Sequence, residues 1–282
     1  MLEQWLPIIY IFTGLLGLVI GSFLNVVIYR VPRKESLSFP ASHCPGCNNP
    51  IKWYDNIPVI SYMLLKGKCR SCKEKISPRY SIVELLNMLL WLACVFFLIQ
   101  NSTTFLGEGI TMENAVGYAL VAMAFCSTLL VVFFIDLEHT YIPDRFHVIV
   151  LALAVIAICL NAFVPSLNDG IKFADRLIGG FGGGTLFLII YFGSYLILKR
   201  EAMGFADVKL VAVAGLLLGW QNTTLSIFLA AVSACVVLAV PHFMGKKDRF
   251  KEYPFAPYLT GGMIASMFIG KALITWYLSL MP

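Results

Sequence analysis

Residues 8–29 read IIYIFTGLLGLVIGSFLNVVIY, a run with no charged side chain. As a helix rising about 1.5 Å per residue it is long enough to cross a hydrocarbon core of about 30 Å. Apolar runs of similar length recur at 81–100, 115–135, 146–164, 177–198, 225–244 and 259–279. An eighth, at 208–220, is too short to cross alone; it must reach into the interface or be a half-helix shielded by its neighbours. Composition agrees: of 282 residues 59% are hydrophobic and 13% charged, against about 45–50% and about 25% for a soluble domain. That balance excludes a disordered chain and a water-soluble globule. The sequence predicts an all-α polytopic membrane protein of about eight transmembrane helices.

The first run is expected to stay in the mature chain. Met1–Pro7 carries Glu3 and no cation, whereas a cleaved signal needs a basic leading region. Arg30, Arg33 and Lys34 follow the run, which predicts an outer N-terminus and an inner 31–80 segment. With eight spans, all of the 21 Lys and Arg except Lys172, Arg176 and Lys271 fall inside, and both termini face out. Gly17/Gly21 and Gly180/Gly184 have the small-xxx-small spacing of closely packed helices. A phosphate-cradling reading of Gly179–Gly184 lacks the Lys-Ser/Thr that would complete it.

Eight cysteines form two groups. Cys94, Cys126, Cys159 and Cys235 lie singly in apolar runs and read as small hydrophobes. Cys44, Cys47, Cys69 and Cys72 make two C-x2-C pairs separated by twenty-one residues. Two tight knuckles of thiolates are the soft tetrahedral ligand set zinc prefers, and disulfides are disfavoured on the reducing cytoplasmic side. The sequence therefore predicts a small structural zinc domain, with His43 a spare neighbour. Ten cations between Arg30 and Arg79 predict attraction to anionic membrane lipid; nothing points to nucleic acid.

Two aspartates adjoin apolar spans, where carboxylates are costly. Asp136 closes LLVVFFID and Asp207 opens a span in EAMGFADVKL; both are predicted at the cytoplasmic border. Brought together they could share a proton and hydrolyse a peptide bond as an aspartic protease does. Kept apart they are helix-end residues, and spacing alone favours neither. Asp144, after Ile142-Pro143, reads as a helix cap. Glu138, His139 and His147 suggest a metalloprotease, but the H-E-x-x-H spacing is missing, so solvated loop groups are the expected reading.

Taken in order, these motifs resemble the type IV prepilin peptidases. GSFLNVVIYRVP (21–32), the cysteine segment, WYDNIPVISYMLLKGKCRSC (53–72) and RYSIVELLN (79–87) resemble the first span and cytoplasmic domain of bacterial members. FIDLEHTYIPD (134–144), EAMGFADVKL (201–210) and PFAPYL (254–259) resemble the two catalytic motifs and the closing motif. The resemblance implies a bifunctional enzyme that removes the basic leader of prepilins or pseudopilins, then methylates the new N-terminus with S-adenosylmethionine. It implies catalytic roles for Asp136 and Asp207, a zinc site at Cys44, Cys47, Cys69 and Cys72 tied chiefly to methylation, and an inner-membrane location. The corresponding division is a first helix (1–30), a zinc-binding domain (31–80) and a peptidase core (81–282). Presenilin-type proteases lack the cysteine domain, and a non-enzymatic scaffold or transporter leaves the motifs unexplained. Ala206 and Ala256 stand where the family commonly has glycine; a positive φ at Ala206 would strain it by roughly 1 kcal/mol or more. Helix dipoles suggest that Asp207, at a helix start, activates water while Asp136, at a helix end, holds the proton.

Overall fold

A computed structural model describes residues 2–101, 112–163, 171–199, 203–243 and 254–280. Helix α1 (Leu6–Arg30) follows a 3-10 turn (Leu2–Trp5). A second 3-10 turn (Trp53–Asn56) and the short α2 (Ile60–Leu64) precede α3 (Arg79–Ala93), which runs on through a π turn (Cys94–Gln100). Next come α4 (Met112–His139) and α5 (Asp144–Phe163). Helix α6 (Phe173–Leu177) passes through a π turn (Ile178–Gly182) into α7 (Gly183–Leu198), and α8 (Phe205–Phe243) and α9 (Ala256–Ser279) complete the chain. Among the described residues the only strand-like pairings are isolated bridges, His43 with Pro50 and Lys68 with Lys75.

Seven helical stretches among the described residues are long and apolar enough to cross a membrane: Leu6–Arg30, Arg79–Gln100, Ala115–His139, Asp144–Ala162, Phe173–Ile197, Phe205–Val237 and Ala256–Ser279. The protein is an all-helical, multi-pass membrane protein. The segments read from sequence as separate spans at 208–220 and 225–244 both lie on α8, which is broken at Gly219 (φ 73°, ψ 168°). Arg200, Glu201, Ala202 and the cations at 246–251 lie outside the described residues.

The break in α8 has a partner. Glycine is the residue that adopts that φ without a Cβ clash, and the turn leaves the preceding carbonyls without their intrahelical donors. Arg176 of α6, only 1% exposed, donates from Nη1 to the Leu217 carbonyl at 2.8 Å and the Leu216 carbonyl at 3.2 Å. A cation at a helix C-terminus supplies the missing hydrogen bonds and opposes the negative dipole end. The charge count assigns Arg176 to the outer side, and its side chain is buried as a helix cap.

Two compact units divide the chain, Met1–Val95 and Phe96–Pro282. In the first, α1 lies against α3. A Cβ on Gly17 would stand 2.9 Å from Met88 Cα, and one on Gly21 2.7 Å from Glu84 Cα, so these glycines let two backbones touch. Polar side chains bridge the seam: Asn87 Nδ2 donates to the Gly17 carbonyl at 2.8 Å, and Asn25 Nδ2 to the Tyr80 carbonyl at 2.9 Å. In the second unit the π turn packs on α8 in the same way. A Cβ on Gly179 would fall 2.6 Å from the Gly215 carbonyl oxygen. Ser226 of α8 and Ser266 of α9 meet at 2.6 Å between buried hydroxyls.

Candidate active site and thiolate cluster

The four cysteines of the first unit come from two knuckles built alike. In one, the Cys44 amide donates to the Asn49 carbonyl and the Asn48 amide to the Cys44 carbonyl; in the other, Cys69 pairs with Glu74, and Lys73 with Cys69, at the same offsets. Asn48 and Lys73 close the turns with positive φ, 54° and 63°. Each knuckle is flanked by one of the isolated bridges. The repetition turns both thiol pairs towards one point: the four Sγ atoms lie within 4.8 Å of one another. Cys44 Sγ and Cys72 Sγ are 3.8 Å apart, close to the edge of a tetrahedron with metal–sulfur bonds of about 2.3 Å. No disulfide joins any cysteine among the described residues. The cluster fits a four-coordinate metal centre.

Electrostatics suit the cluster. The amides of Cys72 and Ser71 point at Cys69 and hold its thiol down at about 7. The Glu74 amide favours the Cys72 thiolate, but desolvation and the thiols of Cys47, Cys69 and Cys44 outweigh it and push Cys72 up to about 12. Arg70 lies inside the second knuckle. Its guanidinium donates to Asp55 from Nε at 2.8 Å and from Nη2 at 2.6 Å, tying the knuckle to the Trp53–Asn56 turn. That hydrogen-bonded cation holds the Asp55 carboxyl below the usual range.

In the second unit, Asp136 and Asp207 come together. Asp136 lies in the last turn of α4, which Thr140 closes with φ 54° and an amide bonded to the Asp136 carbonyl at 2.8 Å. Asp207 is in the first turn of α8, its amide donating to the Gly204 carbonyl at 3.0 Å. Both side chains are buried, 6% and 7% exposed, and the Asp207 carboxyl lies within range of the Asp136 charge. The Ala256 amide, at the start of α9, lies beside Asp136, and the Gly204 amide lies beside Asp207. Asp136 Oδ2 has no hydrogen-bond partner among the described residues. Three helix ends thus converge on two carboxyls, one oxygen of which is uncommitted.

The first turn of α5 grips the first turn of α8 at two points. Lys209 Nζ donates to Asp144 Oδ1 at 2.7 Å. One turn along each helix, His147 Nε2 donates to the Ala206 carbonyl at 2.9 Å, which puts the ring proton on Nε2. Asp207 lies between the two tied positions of α8. Asp144, read from sequence as a cap, spends its carboxylate on Lys209, and His147, read as a loop group, is buried at 5% exposure. Ala206 is helical with negative φ, so the strain considered for it does not arise. Among the described residues, the four cysteines are the one group of His, Cys, Asp or Glu close enough to hold a metal; Glu138, His139 and His147 form none with Asp136. The two ties were missed because i, i+3 spacing marks a shared helix face but not the helix it meets.

Comparison with known proteins gives the family. Residues 15–98 match the bacterial peptidase A24 N-terminal domain, and residues 123–240 match the type IV leader peptidase family. The chain belongs to the type IV leader peptidase family. It is similar to the prepilin leader peptidase/N-methyltransferase of Aeromonas salmonicida (strain A449), 31% identical over 301 residues, covering 98% of this chain and 95% of the relative. The enzyme of the same name from Myxococcus xanthus (strain DK1622) is 36% identical over 241 residues, 82% of this chain and 62% of the relative. A type 4 prepilin-like proteins leader peptide-processing enzyme of Escherichia coli O78:H11 is 33% identical over 271 residues, 90% and 91% of the two chains. No solved structure matches. Within this leader peptidase the thiolate cluster falls in the N-terminal match and both aspartates fall in the peptidase match.

Proposed function

We propose that this leader peptidase cleaves the basic leader from type IV prepilins or pseudopilins with Asp136 and Asp207, then methylates the new N-terminal amine with S-adenosylmethionine. The observation that carries the reading is the meeting of the two buried carboxyls. A carboxylate pair hydrolyses an amide by dividing two tasks: one takes a proton from water as it attacks, and the other gives a proton to the scissile carbonyl oxygen. Asp207 is the water-activating carboxylate in this reading, because it stands at the start of α8, where the positive end of the helix dipole lies. Asp136 is the proton-holding partner. It stands in the last turn of α4, where the negative end of the helix dipole lies. The pair titrates as a unit, so its apparent pKa values belong to both residues.

The active site faces the cytoplasm in this reading, with both termini outside and the chain in the inner membrane. A prepilin's apolar helix lies in the bilayer and delivers its basic leader to the border where the aspartates stand. Cys44, Cys47, Cys69 and Cys72 hold a structural zinc ion that fixes the two knuckles, and this domain (31–80) serves chiefly the methylation half, beside the first helix (1–30) and the peptidase core (81–282). The basic segment takes membrane lipid rather than nucleic acid as its partner. S-adenosylmethionine supplies the methyl group to the deprotonated amine that cleavage creates. A scaffold or transporter gains no support from the family match.

The test is cleavage of a prepilin in membranes carrying wild type, Asp136→Asn or Asp207→Asn at equal protein levels, with the product's N-terminus read by mass spectrometry. Both variants should lose at least about 10³-fold in rate, in keeping with removal of a member of a catalytic pair. Cleavage surviving near wild-type rate in either one overturns the aspartyl pair.

A further inference from the structure

The first unit contains a pocket of about 400 Å³ whose walls include Tyr62, Lys66, Lys68, Lys75, Ser77 and Pro78. Three lysines, Lys66, Lys68 and Lys75, line it, and none of the three has a salt bridge or side-chain hydrogen bond among the described residues. Asp55 is held by Arg70. Glu84 accepts the Val59 amide at 2.8 Å. Glu74 lies against Gly46, where a Cβ would fall on its carboxylate. Arg30 donates to the Ser36 and Pro40 carbonyls at 2.8 and 2.6 Å. Unpartnered like charges gathered round a cavity repel one another unless an anion joins them.

The backbone shapes the cavity. Gly67 turns at φ 66°, its amide bonded to the Tyr62 carbonyl and its carbonyl to the Ile76 amide at 2.8 Å. A Cβ at Gly67 would stand 2.9 Å from the Tyr62 hydroxyl. This loop brings Lys66 and Lys68 to the strand of residues that carries Lys75. The chain then passes through Ser77 and Pro78 directly into α3, a membrane-crossing helix beginning at Arg79. The pocket is therefore at headgroup level by chain connectivity. Beside it, α2 turns Met63 and Leu64 outward, 67% and 76% exposed, as apolar side chains that insert below headgroups do.

We infer that this pocket is a binding site for the phosphate-bearing headgroup of an anionic phospholipid, with Met63 and Leu64 reaching into the acyl region beside it. The triad of lysines supplies the charge, and the Tyr62 and Ser77 hydroxyls supply further donors to phosphate oxygens. The same cations disfavour a ligand bearing a sulfonium. The inference rests on the membrane setting and not on the peptidase reading, and its test involves no cleavage.

The experiment is native mass spectrometry of the full chain in detergent with added phosphatidylglycerol or phosphatidylcholine. It compares wild type, Lys66→Gln/Lys75→Gln and Met63→Ser/Leu64→Ser, with bound metal measured alongside to verify the fold. Wild type should retain phosphatidylglycerol over phosphatidylcholine. The lysine variant should lose about 30-fold of that retention at unchanged metal content, from about 1 kcal/mol per cation near a membrane surface. The Met63/Leu64 variant should weaken both lipids together. Equal retention of the two lipids, or no loss in the lysine variant, overturns the site. Displacement by inorganic phosphate at the same concentration as lipid would make it a phosphate site instead, and displacement by S-adenosylmethionine would assign the pocket to the methyl donor.

Discussion

Ala206 shows how a single residue can depart from the family's pattern and still fit. It stands where related motifs commonly carry glycine, yet it is helical, and its carbonyl accepts the His147 ring N–H at 2.9 Å. That bond acts one residue before Asp207, so its loss should tilt the carboxyl more than it unfolds the chain. His147→Leu should lower kcat for leader cleavage by about tenfold with KM little changed, since small misplacements of a reacting group cost rate rather than binding. His147→Gln keeps an amide donor and should recover most of the rate. Steady-state kinetics on a prepilin checks both, and equal kcat in wild type and His147→Leu would remove His147 from the positioning of Asp207. The companion tie, Lys209 to Asp144, is 42% and 76% exposed on its two sides. It should contribute less to stability, because exposed pairs are worth about 0–1 kcal/mol.

Among the elements, α8 is the one whose form depends on another. Its first half ends at Gly219 with two carbonyls turned to Arg176. A buried carbonyl stripped of its donor costs about 1–3 kcal/mol. Arg176→Met should therefore destabilise the protein by about 3 kcal/mol, measured as a shift in the unfolding midpoint in detergent, with Arg176→Lys intermediate. An unchanged midpoint in Arg176→Met would mean that the break is held by glycine and packing alone. The seam between α1 and α3 uses the opposite device: glycines allow contact, and Asn25 and Asn87 bridge it to backbone carbonyls. There the sequence was a good guide, because small-xxx-small spacing encodes close approach directly.

For the whole molecule, the division into Met1–Val95 and Phe96–Pro282 places the thiolate cluster and the carboxyl pair in different compact units. A strong chelator should therefore loosen the cysteine segment and abolish methylation while leaving leader cleavage largely intact; mass spectrometry of the product N-terminus reads both. Acid should act in the same direction. Metal binding needs thiolates, so protons compete with the ion as pH falls. Cys69, held at about 7, ionises near neutrality, whereas Cys72, pushed up to about 12, loses its proton when the metal displaces it. Metal retention should fall steadily below pH 7, and loss of cleavage in step with methylation would show that the two units depend on one metal.

Sequence alone determined the class of solvent, the helical architecture, the four-cysteine set and the two aspartates worth pairing. Each of these is encoded locally, in the length of an apolar run, the spacing of a knuckle, or a carboxyl beside a span. Periodicity did not reveal that 208–220 ends in a Gly219 break, because a break inside an apolar run leaves the hydropathy unchanged. Nor could it reveal Arg176 as the cap of that break, His147 as the donor to Ala206, or the start of α9 beside Asp136. Those contacts join residues forty or more positions apart, and only packing decides which helix ends meet. The meeting of Asp136 and Asp207 belongs with them: the sequence supplied both carboxyls, and the fold of α4, α5, α8 and α9 supplied the distance.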